Sequence, residues 1–316
     1  MSKPYDRLDF SRARTVPLAG RASKIAEEAL AAPEAYDPSL AAIEKLIPSV
    51  LAGGDIKRVA DAWASAVRSG RSVILGMGTY LIKVGLSRLV IDLLERGFIH
   101  AIAANGAVAI HELEMAIHGQ TSEEVADGLA GGTFGMAEEM GRAYWEAVAL
   151  ADREKYGLGQ ALGRYVVETK AAHRHLSVFA VAYERGVPVT VHVAVGADVA
   201  HMHPAGDGAA LGLATFRDFQ VLAHSVKGLH DGGMYLNAGS AVMLPEVFLK
   251  AINISRNIDG TPQRIVTVNL DMIRHYRPHQ NVVQRPTSPD GRGYEIVGHH
   301  EILFPLLYTM VRSRLG

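Results

Sequence analysis

Apolar and polar positions alternate with two different periods along the chain, and this alternation predicts short strands that are each followed by a helix. Ser72 to Leu75 forms a short apolar run, and apolar residues then recur every three or four positions from Ile82 to Leu94. That spacing is typical of a helix with one buried face. A second apolar run, Phe98 to Ala104, again leads into a helical pattern. The first core unit is therefore predicted to be β-α-β-α.

The same alternation returns in the second half of the chain. Four more strands are predicted there, with helical patterns among them: Val187 to Val195, Met234 to Leu236, Arg264 to Leu270 and Tyr294 to Val297. Short apolar strands that alternate with amphipathic helices are typical of a parallel sheet covered on both faces. The predicted fold class is therefore α/β, with a doubly wound, mainly parallel sheet. Residues 275–292 are polar and contain proline, which predicts one long loop.

The first 38 residues follow neither pattern. Four prolines interrupt them and alanine is frequent, which predicts an extended N-terminal arm with one helix near Arg21 to Ala31. Arms of this kind often contact a neighbouring subunit. Residues 39–316 are predicted to form a single domain.

Composition narrows the class of protein. Of 316 residues, 48% are hydrophobic and 21% are charged, as in ordinary globular proteins. The 32 basic and 33 acidic side chains nearly balance, so the net charge of the protein does not attract it to nucleic acid or to an anionic membrane. The absence of cysteine excludes disulfides and thiolate sites, and neither a signal-peptide core nor a membrane-spanning run is evident. We expect a soluble, cytoplasmic protein that binds a small molecule.

Glycine-containing turns follow three of the predicted strands, at residues 76–79, 105–106 and 237–240. Ligands of parallel sheets bind beyond the carboxyl ends of the strands, and the first N–H groups of a helix favour phosphate. One such turn is explained equally well by a tight connection, but three together favour a nucleotide site. The expected cofactor contacts are Gly76, Gly78, Thr79, Asn105, Gly106, Asn237, Gly239, Ser240 and Gly298.

Histidines and carboxylates near the strand ends are the candidates for chemistry. His201 and His203 are two residues apart and, with His192, offer an alternative metal site, although His-x-His is common by chance. We therefore expect no metal. A histidine beside a carboxylate titrates near neutrality, which suits an acid or base. The expected catalytic residues are His201, His203, His111, His299 and Glu112, and the expected substrate contacts are His192, Asp198, Asp271 and Glu301.

Read in order, the segments at the strand ends resemble deoxyhypusine synthase over most of residues 70–311. The matching segments are 72–86, 98–106, 186–189, 253–257 and 301–307. The resemblance implies a Rossmann-like fold of the deoxyhypusine synthase and sirtuin type, and a domain at 39–316 that binds NAD. It also implies a homotetramer with active sites at the subunit interfaces, and transferase or oxidoreductase chemistry.

Two departures from that family change the expected reaction. Residues 271–292, where the family carries its catalytic lysine, contain no lysine, and Ile110 and His111 stand where the family has paired glutamates. The expected function is therefore transient or net oxidation, with NAD, of a small substrate bearing an amine or hydroxyl, and not true deoxyhypusine synthesis. Two alternatives stay open: a metal-dependent hydrolase or lyase that uses the histidine cluster, and a non-catalytic NAD-binding scaffold.

Overall fold

The computed structural model describes residues 7–316, and its centre is a six-stranded sheet in which all strands run parallel. The strands along the chain are β1 Ser23–Ala26, β2 Val73–Met77, β3 Ala101–Asn105, β4 Gln120–Glu123, β5 Val189–His192, β6 Met234–Ala238, β7 Val266–Asp271 and β8 Arg292–Val297. The sheet order is β5-β3-β2-β6-β7-β8, so the chain winds outward in both directions from β2 and β6. The predicted Rossmann-like, doubly wound fold is confirmed.

Helices cover both faces of this sheet. Their bounds are α1 Leu51–Arg68, α2 Tyr80–Lys83, α3 Ser87–Glu95, α4 Gly106–His118, α5 Val125–Gly131, α6 Glu138–Glu154, α7 Leu158–Glu168, α8 Val178–Glu184, α9 Gly208–Ser225, α10 Met243–Asp259, α11 Tyr276–Pro278 and α12 His300–Leu315. Within the part of the chain that is described, no helix is long and apolar enough to cross a membrane.

Successive residues of the central strands point to opposite faces and enter different cores. Leu75 of β2 belongs to the core that contains Trp63 of α1 and Phe304 of α12, whereas Ile74 belongs to the core that contains Phe248 of α10. All five residues of β2 are buried, and the same is true of β6. A strand buried on both faces needs a continuous apolar run, which explains why the central strands were visible in the sequence.

The N-terminal arm differs from the prediction. The helix expected at residues 21–31 is wrong, because Ser23–Ala26 instead forms β1, which pairs antiparallel with β4, and a single 3-10 turn follows. Val16 also pairs with Ala137, and residue 18 is buried. Backbone pairing with β4 has overridden the helix propensity of the alanines.

The loop predicted at residues 275–292 is also largely wrong. Residues 276–284 are helical, through α11 and a π-helical segment, His279–Gln284. Val282 is fully buried, and its carbonyl accepts a hydrogen bond of 2.6 Å from the hydroxyl of Thr267 in β7. Isolated apolar residues within a polar segment anchor it to the core.

Candidate functional site

The turns after β2 and β6 lie side by side at the carboxyl edge of the sheet. The N–H of Gly78 donates to the carbonyl of Ala238 at 2.8 Å. This is the point where the winding of the sheet reverses, and in open parallel sheets that point forms the ligand crevice. The turn at Asn105 and Gly106 follows β3, which is the neighbour of β2. The three glycine turns thus lie on adjacent strands of one edge.

Close packing explains the glycines at these turns. A Cβ atom at Gly78 would overlap the carbonyl of Gly239, and one at Gly76 would overlap the ring of Tyr235. A Cβ at Gly106 would overlap the carboxylate of Asp198. Because each neighbour belongs to the protein itself, the glycines alone do not indicate a ligand.

Unpaired backbone N–H groups are a more direct sign of a ligand. Within residues 7–316, the N–H groups of Thr79, Ser240 and Ala241 donate to no backbone or side-chain acceptor. The Ser240 hydroxyl itself accepts from the N–H of Leu244 at 3.2 Å, near the start of α10. Free N–H groups near a helix start favour an anion through their partial positive charge.

The structure places His300, and not His299, against the crevice. His299 is largely exposed and faces Glu301, with 3.5 Å between Nδ1 and Oε1. His300 is fully buried, its ring stacks on that of Tyr80 with 5.4 Å between centroids, and its Nε2 lies 3.1 Å from the carbonyl of Leu270. The sequence analysis singled out His299 of this segment, whose role stays a prediction, whereas His300 is the histidine that the structure packs against the turn.

The hydrogen bond to Leu270 fixes the protonation of His300. Since a carbonyl only accepts, Nε2 carries the proton and Nδ1 keeps its lone pair. Nδ1 is buried and has no hydrogen-bond partner within residues 7–316. Burial lowers the pKa of His300, and the nearby Asp271 carboxylate offsets this only in part. The ring is therefore a neutral proton acceptor beside the switch point.

Asn237 and Asp271, two residues predicted to contact a ligand, form hydrogen bonds with neighbouring protein groups. The amide of Asn237 donates to the carbonyl of Ser240 at 2.9 Å and to Oδ1 of Asn269 at 2.8 Å, which holds the turn after β6. Asp271, at the end of β7, accepts from the N–H of Met272 at 2.8 Å, and its carbonyl accepts from the N–H of Gly298. Both residues shape the crevice wall.

Asp198 supplies an unpaired carboxylate at the β3 and β5 side of this edge. It is 8% exposed, and its Oδ2 has no partner within residues 7–316. Burial raises the pKa of Asp198 to about 6. The side chain of Asn105, by contrast, accepts from the N–H of Val108 at 3.2 Å and so caps α4. Of these two side chains, Asp198 is the one with an oxygen that is free to accept a hydrogen bond from a ligand.

The three histidines of the alternative metal site bond to different partners. Nε2 of His192 lies 3.0 Å from the hydroxyl of Thr190, and burial lowers the pKa of His192 to about 4. Nδ1 of His201 accepts from the N–H of Gly196 at 3.3 Å, and Nε2 of His203 donates to the carbonyl of Ala137 at 3.2 Å. Burial lowers the pKa of these two as well. Among the described residues, no three His, Cys, Asp or Glu side chains are grouped as metal ligands.

His111 and Glu112 lie on α4 and do not act as a pair. Glu112 accepts from the Ser177 hydroxyl at 2.7 Å and from the N–H of Phe179 at 2.9 Å, and so caps α8. Burial raises the pKa of Glu112 to about 7. His111 instead faces Thr121, 2.7 Å from its hydroxyl, and burial lowers its pKa to about 4. Adjacent helix residues point in different directions, which explains the separation.

Comparison with known proteins shows similarity of fold only. No protein-family model matches the chain, and no curated protein matches it. A LOR/SDH-type protein from Methanococcus maripaludis S2 shares 16% identity with a TM-score of 0.54, over 84% of this chain and 71% of that one. AgrE crystallised with ornithine and NAD+ shares 13% identity with a TM-score of 0.54, over 90% of this chain and 34% of AgrE. Unliganded AgrE shares 15% identity with a TM-score of 0.53, over 82% of this chain and 32% of AgrE.

The chain spans about a third of the length of AgrE. A deoxyhypusine synthase-type protein from Entamoeba histolytica shares 9% identity, with a TM-score of 0.47, over 83% of this chain and 88% of that one. That similarity is too low to carry the kinship expected from the sequence. Membership of the deoxyhypusine synthase family stays a prediction, whereas the Rossmann-like fold is shown.

Proposed function

We propose that the chain is an NAD-dependent enzyme that oxidises, transiently or as a net reaction, a small substrate bearing an amine or hydroxyl. The observation that carries the proposal is the pair of turns in contact at the switch point, where the N–H groups of Thr79 and Ser240 have no acceptor within residues 7–316. A pyrophosphate accepts hydrogen bonds from such groups.

One further residue, Asp198, supports a ribose contact. Dinucleotide-binding folds place a carboxylate near the end of the second strand, where it binds a ribose hydroxyl. Here the loop after β5 brings Asp198 to that place, and Oδ2 of Asp198 lacks a partner in the described chain. AgrE, which shares the fold, was crystallised with ornithine and NAD+. That complex supports NAD as cofactor and an amine as substrate.

NAD, when bound, would supply the acceptor for a hydride from the substrate carbon. The matching proton must leave the substrate nitrogen or oxygen, and we assign its acceptance to Nδ1 of His300, because this atom has no partner in the described chain. The bond from Nε2 to Leu270 holds the ring in the tautomer that this requires. Tyr80 stacks on one face of the imidazole and so helps to fix the orientation of the ring.

The other predicted catalytic residues take weaker roles in this proposal. His111, Glu112 and His203 each bond to protein groups, and His201 does so through Nδ1, whereas its Nε2 is buried without a partner in the described chain. His299 and Glu301 are exposed at the start of α12; Glu301 stays a candidate substrate contact, and the predicted catalytic role of His299 stays a prediction.

Calorimetric titration with NAD, followed by mixing with L-ornithine and other small amines and alcohols, tests the proposal. Reduced nicotinamide is detected by its near-ultraviolet absorbance in a single turnover, so that transient oxidation is also seen. We expect micromolar NAD affinity and a His300→Asn variant whose rate falls about 100-fold or more. His224→Asn, an exposed change on α9, should be silent.

An NAD affinity no tighter than that of an unrelated protein would contradict the proposal. Normal NAD binding without any reduced nicotinamide, and without an effect of His300→Asn, would favour the scaffold alternative instead.

A further inference from the structure

A cavity of about 240 Å³ lies at the amino end of β5, which is an edge strand of the sheet. Residues of α7, α8 and α9 complete the wall of this β5 cavity. Three of its lining residues, Gln160, Gly186 and Pro188, are exposed, so a small molecule can enter from solvent. A cavity of about 150 Å³ holds benzene, so this one has room for a ring with a short polar arm.

The β5 cavity contains one carboxyl group, and that group is almost completely buried. Asp218 of α9 is 1% exposed and lines the cavity. Its Oδ2 accepts from the N–H of Gly159 at 2.9 Å and from the N–H of Val191 at 2.7 Å. Oδ1 accepts no hydrogen bond of ordinary geometry within residues 7–316. One oxygen thus ties α9 to α7 and β5, whereas the other is left without a donor.

The oxygen without a donor lies at the wall of the cavity. Gly157 also lines the cavity, and a Cβ atom at this residue would overlap Oδ1 of Asp218. Because glycine has no side chain, Gly157 leaves Oδ1 uncovered on that side. The carboxyl group can therefore contact a ligand without giving up its two bonds to the backbone.

No positive charge of the described chain compensates this carboxyl group. Within residues 7–316, no lysine, arginine or histidine lines the cavity. Arg217, which precedes Asp218, instead donates to backbone carbonyls at and just beyond the end of α6. The other ionisable side chains nearby are the phenols of Tyr144 on α6 and Tyr183 on α8. Buried carboxylates in proteins are normally paired, because an unpaired one loses its hydration without compensation.

The rest of the wall is largely apolar. Phe179 and Tyr183 contribute aromatic rings, and Val187, Val189 and Val221 contribute aliphatic surface. Apolar walls with one placed polar group are typical of sites for small molecules. Aromatic rings also favour a cation through the negative charge of their faces. A ligand with an apolar body and one positive charge matches both parts of the wall.

We propose that the β5 cavity binds a small primary ammonium compound with an apolar body, whose N–H groups donate to Oδ1 of Asp218. The inference goes beyond the proposed function and does not depend on it. The β5 cavity lies at the amino end of its strand, whereas the dinucleotide crevice lies at the carboxyl edge of the sheet. Failure of NAD to bind would leave this inference untouched, and the converse also holds.

Protonation of Asp218 gives this binding a pH dependence. Burial raises the pKa of Asp218 to about 8, and backbone N–H groups offset this only in part. Below that pH the free protein holds a proton on this carboxyl group, which an ammonium ligand must displace. The ionised fraction rises about tenfold per pH unit below the pKa, so ligand affinity should rise about tenfold from about pH 6 to about pH 7. Binding at about pH 7 should release close to one proton.

Benzylamine and benzyl alcohol test the inference, because they share a ring and a one-carbon arm and differ in charge. Each is titrated calorimetrically into the full chain at about pH 7, in two buffers of different ionisation enthalpy, so that proton release is measured together with affinity. We expect benzylamine to bind at least about tenfold more tightly, as suits a hydrogen bond between charged groups. Benzyl alcohol should release no proton.

Matched variants separate the charge of the carboxyl group from its structural role. Asp218→Asn keeps an oxygen for the two backbone N–H groups but removes the charge, so the preference for benzylamine should fall to about twofold or less and proton release should disappear. Val221→Phe narrows the cavity and should weaken both ligands about tenfold. Leu213→Phe, an exposed change on the same helix outside the cavity, should alter neither affinity. Thermal unfolding of each variant reports on the fold.

Three outcomes would overturn the inference. These are a wild type that binds benzylamine no more tightly than benzyl alcohol, a folded Asp218→Asn variant that keeps the tenfold preference, and a Val221→Phe variant that binds benzylamine like the wild type. The first and third require no change at Asp218, so they decide the question even if Asp218→Asn does not fold.

Discussion

The two edges of the sheet differ in a way that decides where a ligand is expected. The amino edge holds a cavity of about 590 Å³ between α1 and the starts of β6, β7 and β8. Its charges are largely paired, as in Arg264 with Asp231 and Arg58 with Asp55. The carboxyl edge is more closely packed, yet Nδ1 of His300 lacks a partner within residues 7–316. The position at the switch point of the sheet, more than empty volume, marks the candidate site.

The parallel arrangement explains the difference. Each strand leads into the next helix at its carboxyl end, so helix starts and their free N–H groups collect along that edge. Helix ends and strand starts collect along the opposite edge, where the potential does not favour an anion. Ion pairs that line the open cavity satisfy one another, and each contributes little to stability.

The largest expected effect is that of Gly78→Ala at the carboxyl edge. The new Cβ would overlap the backbone carbonyl of Gly239, which cannot move without shifting the turn. We expect about 3 kcal/mol or more of lost stability, together with loss of NAD binding. Gly212→Ala on α9, where nothing lies within 4 Å, should instead stabilise by up to about 1 kcal/mol. Chemical denaturation measures both, and equal effects would show that the turns are not tightly packed.

A second prediction concerns pH and the buried Glu112. Its folded pKa of about 7 lies above its ordinary value of 4.5, so the folded state binds more protons between these values and stability falls as pH rises. Glu112→Gln should therefore be more stable than the wild type by about 1–3 kcal/mol at about pH 8 and nearly equal to it at about pH 4. Denaturation across this range measures the difference. A difference that is constant with pH would contradict the raised pKa.

A third, smaller effect is expected on NAD affinity alone. Asp198→Asn should weaken NAD about tenfold, because the carboxylate accepts a ribose hydroxyl better than an amide does. Asp290→Asn, which changes an acid lining the amino-edge cavity, should leave NAD affinity unchanged. Calorimetry measures both NAD affinities. If the dinucleotide bound at the amino edge, Asp290→Asn would weaken NAD binding and Asp198→Asn would not.

The smallest effect is expected from Arg264→Ala in the amino-edge cavity. It removes the ion pair with Asp231, whose side chains are 55% and 35% exposed. Pairs with this exposure contribute less than about 1 kcal/mol, so thermal stability should change little and NAD affinity should not change. A fall of tenfold or more in NAD affinity would move the site to this edge.

Local patterns in the sequence predicted the sheet and its turns well. The central strands are continuous apolar runs, and the glycines at 76–78, 106 and 239 mark turns whose backbones approach other groups closely. The arm was predicted less well, because β1 exists only through its pairing with β4, a distant segment. The helices α5 to α7 follow no strand of the main sheet and were not identified.

Side-chain direction decides which of the predicted residues lie near the crevice, and the sequence pattern does not show it. The residue at which α12 begins decides whether His299 or His300 faces the crevice. The sequence pattern does not fix this first residue to within one position. The contact of Asp198 with Gly106 joins residues that are distant in sequence. The division at residue 38 stays a prediction.

A crystal structure of the full chain grown with saturating NAD tests the central claim most directly. The account predicts a pyrophosphate against the N–H groups of Thr79 and Ser240 and a ribose hydroxyl within hydrogen-bond distance of Oδ2 of Asp198. A dinucleotide ordered in the amino-edge cavity beside Arg264, or a carboxyl-edge crevice without NAD at saturation, would contradict it.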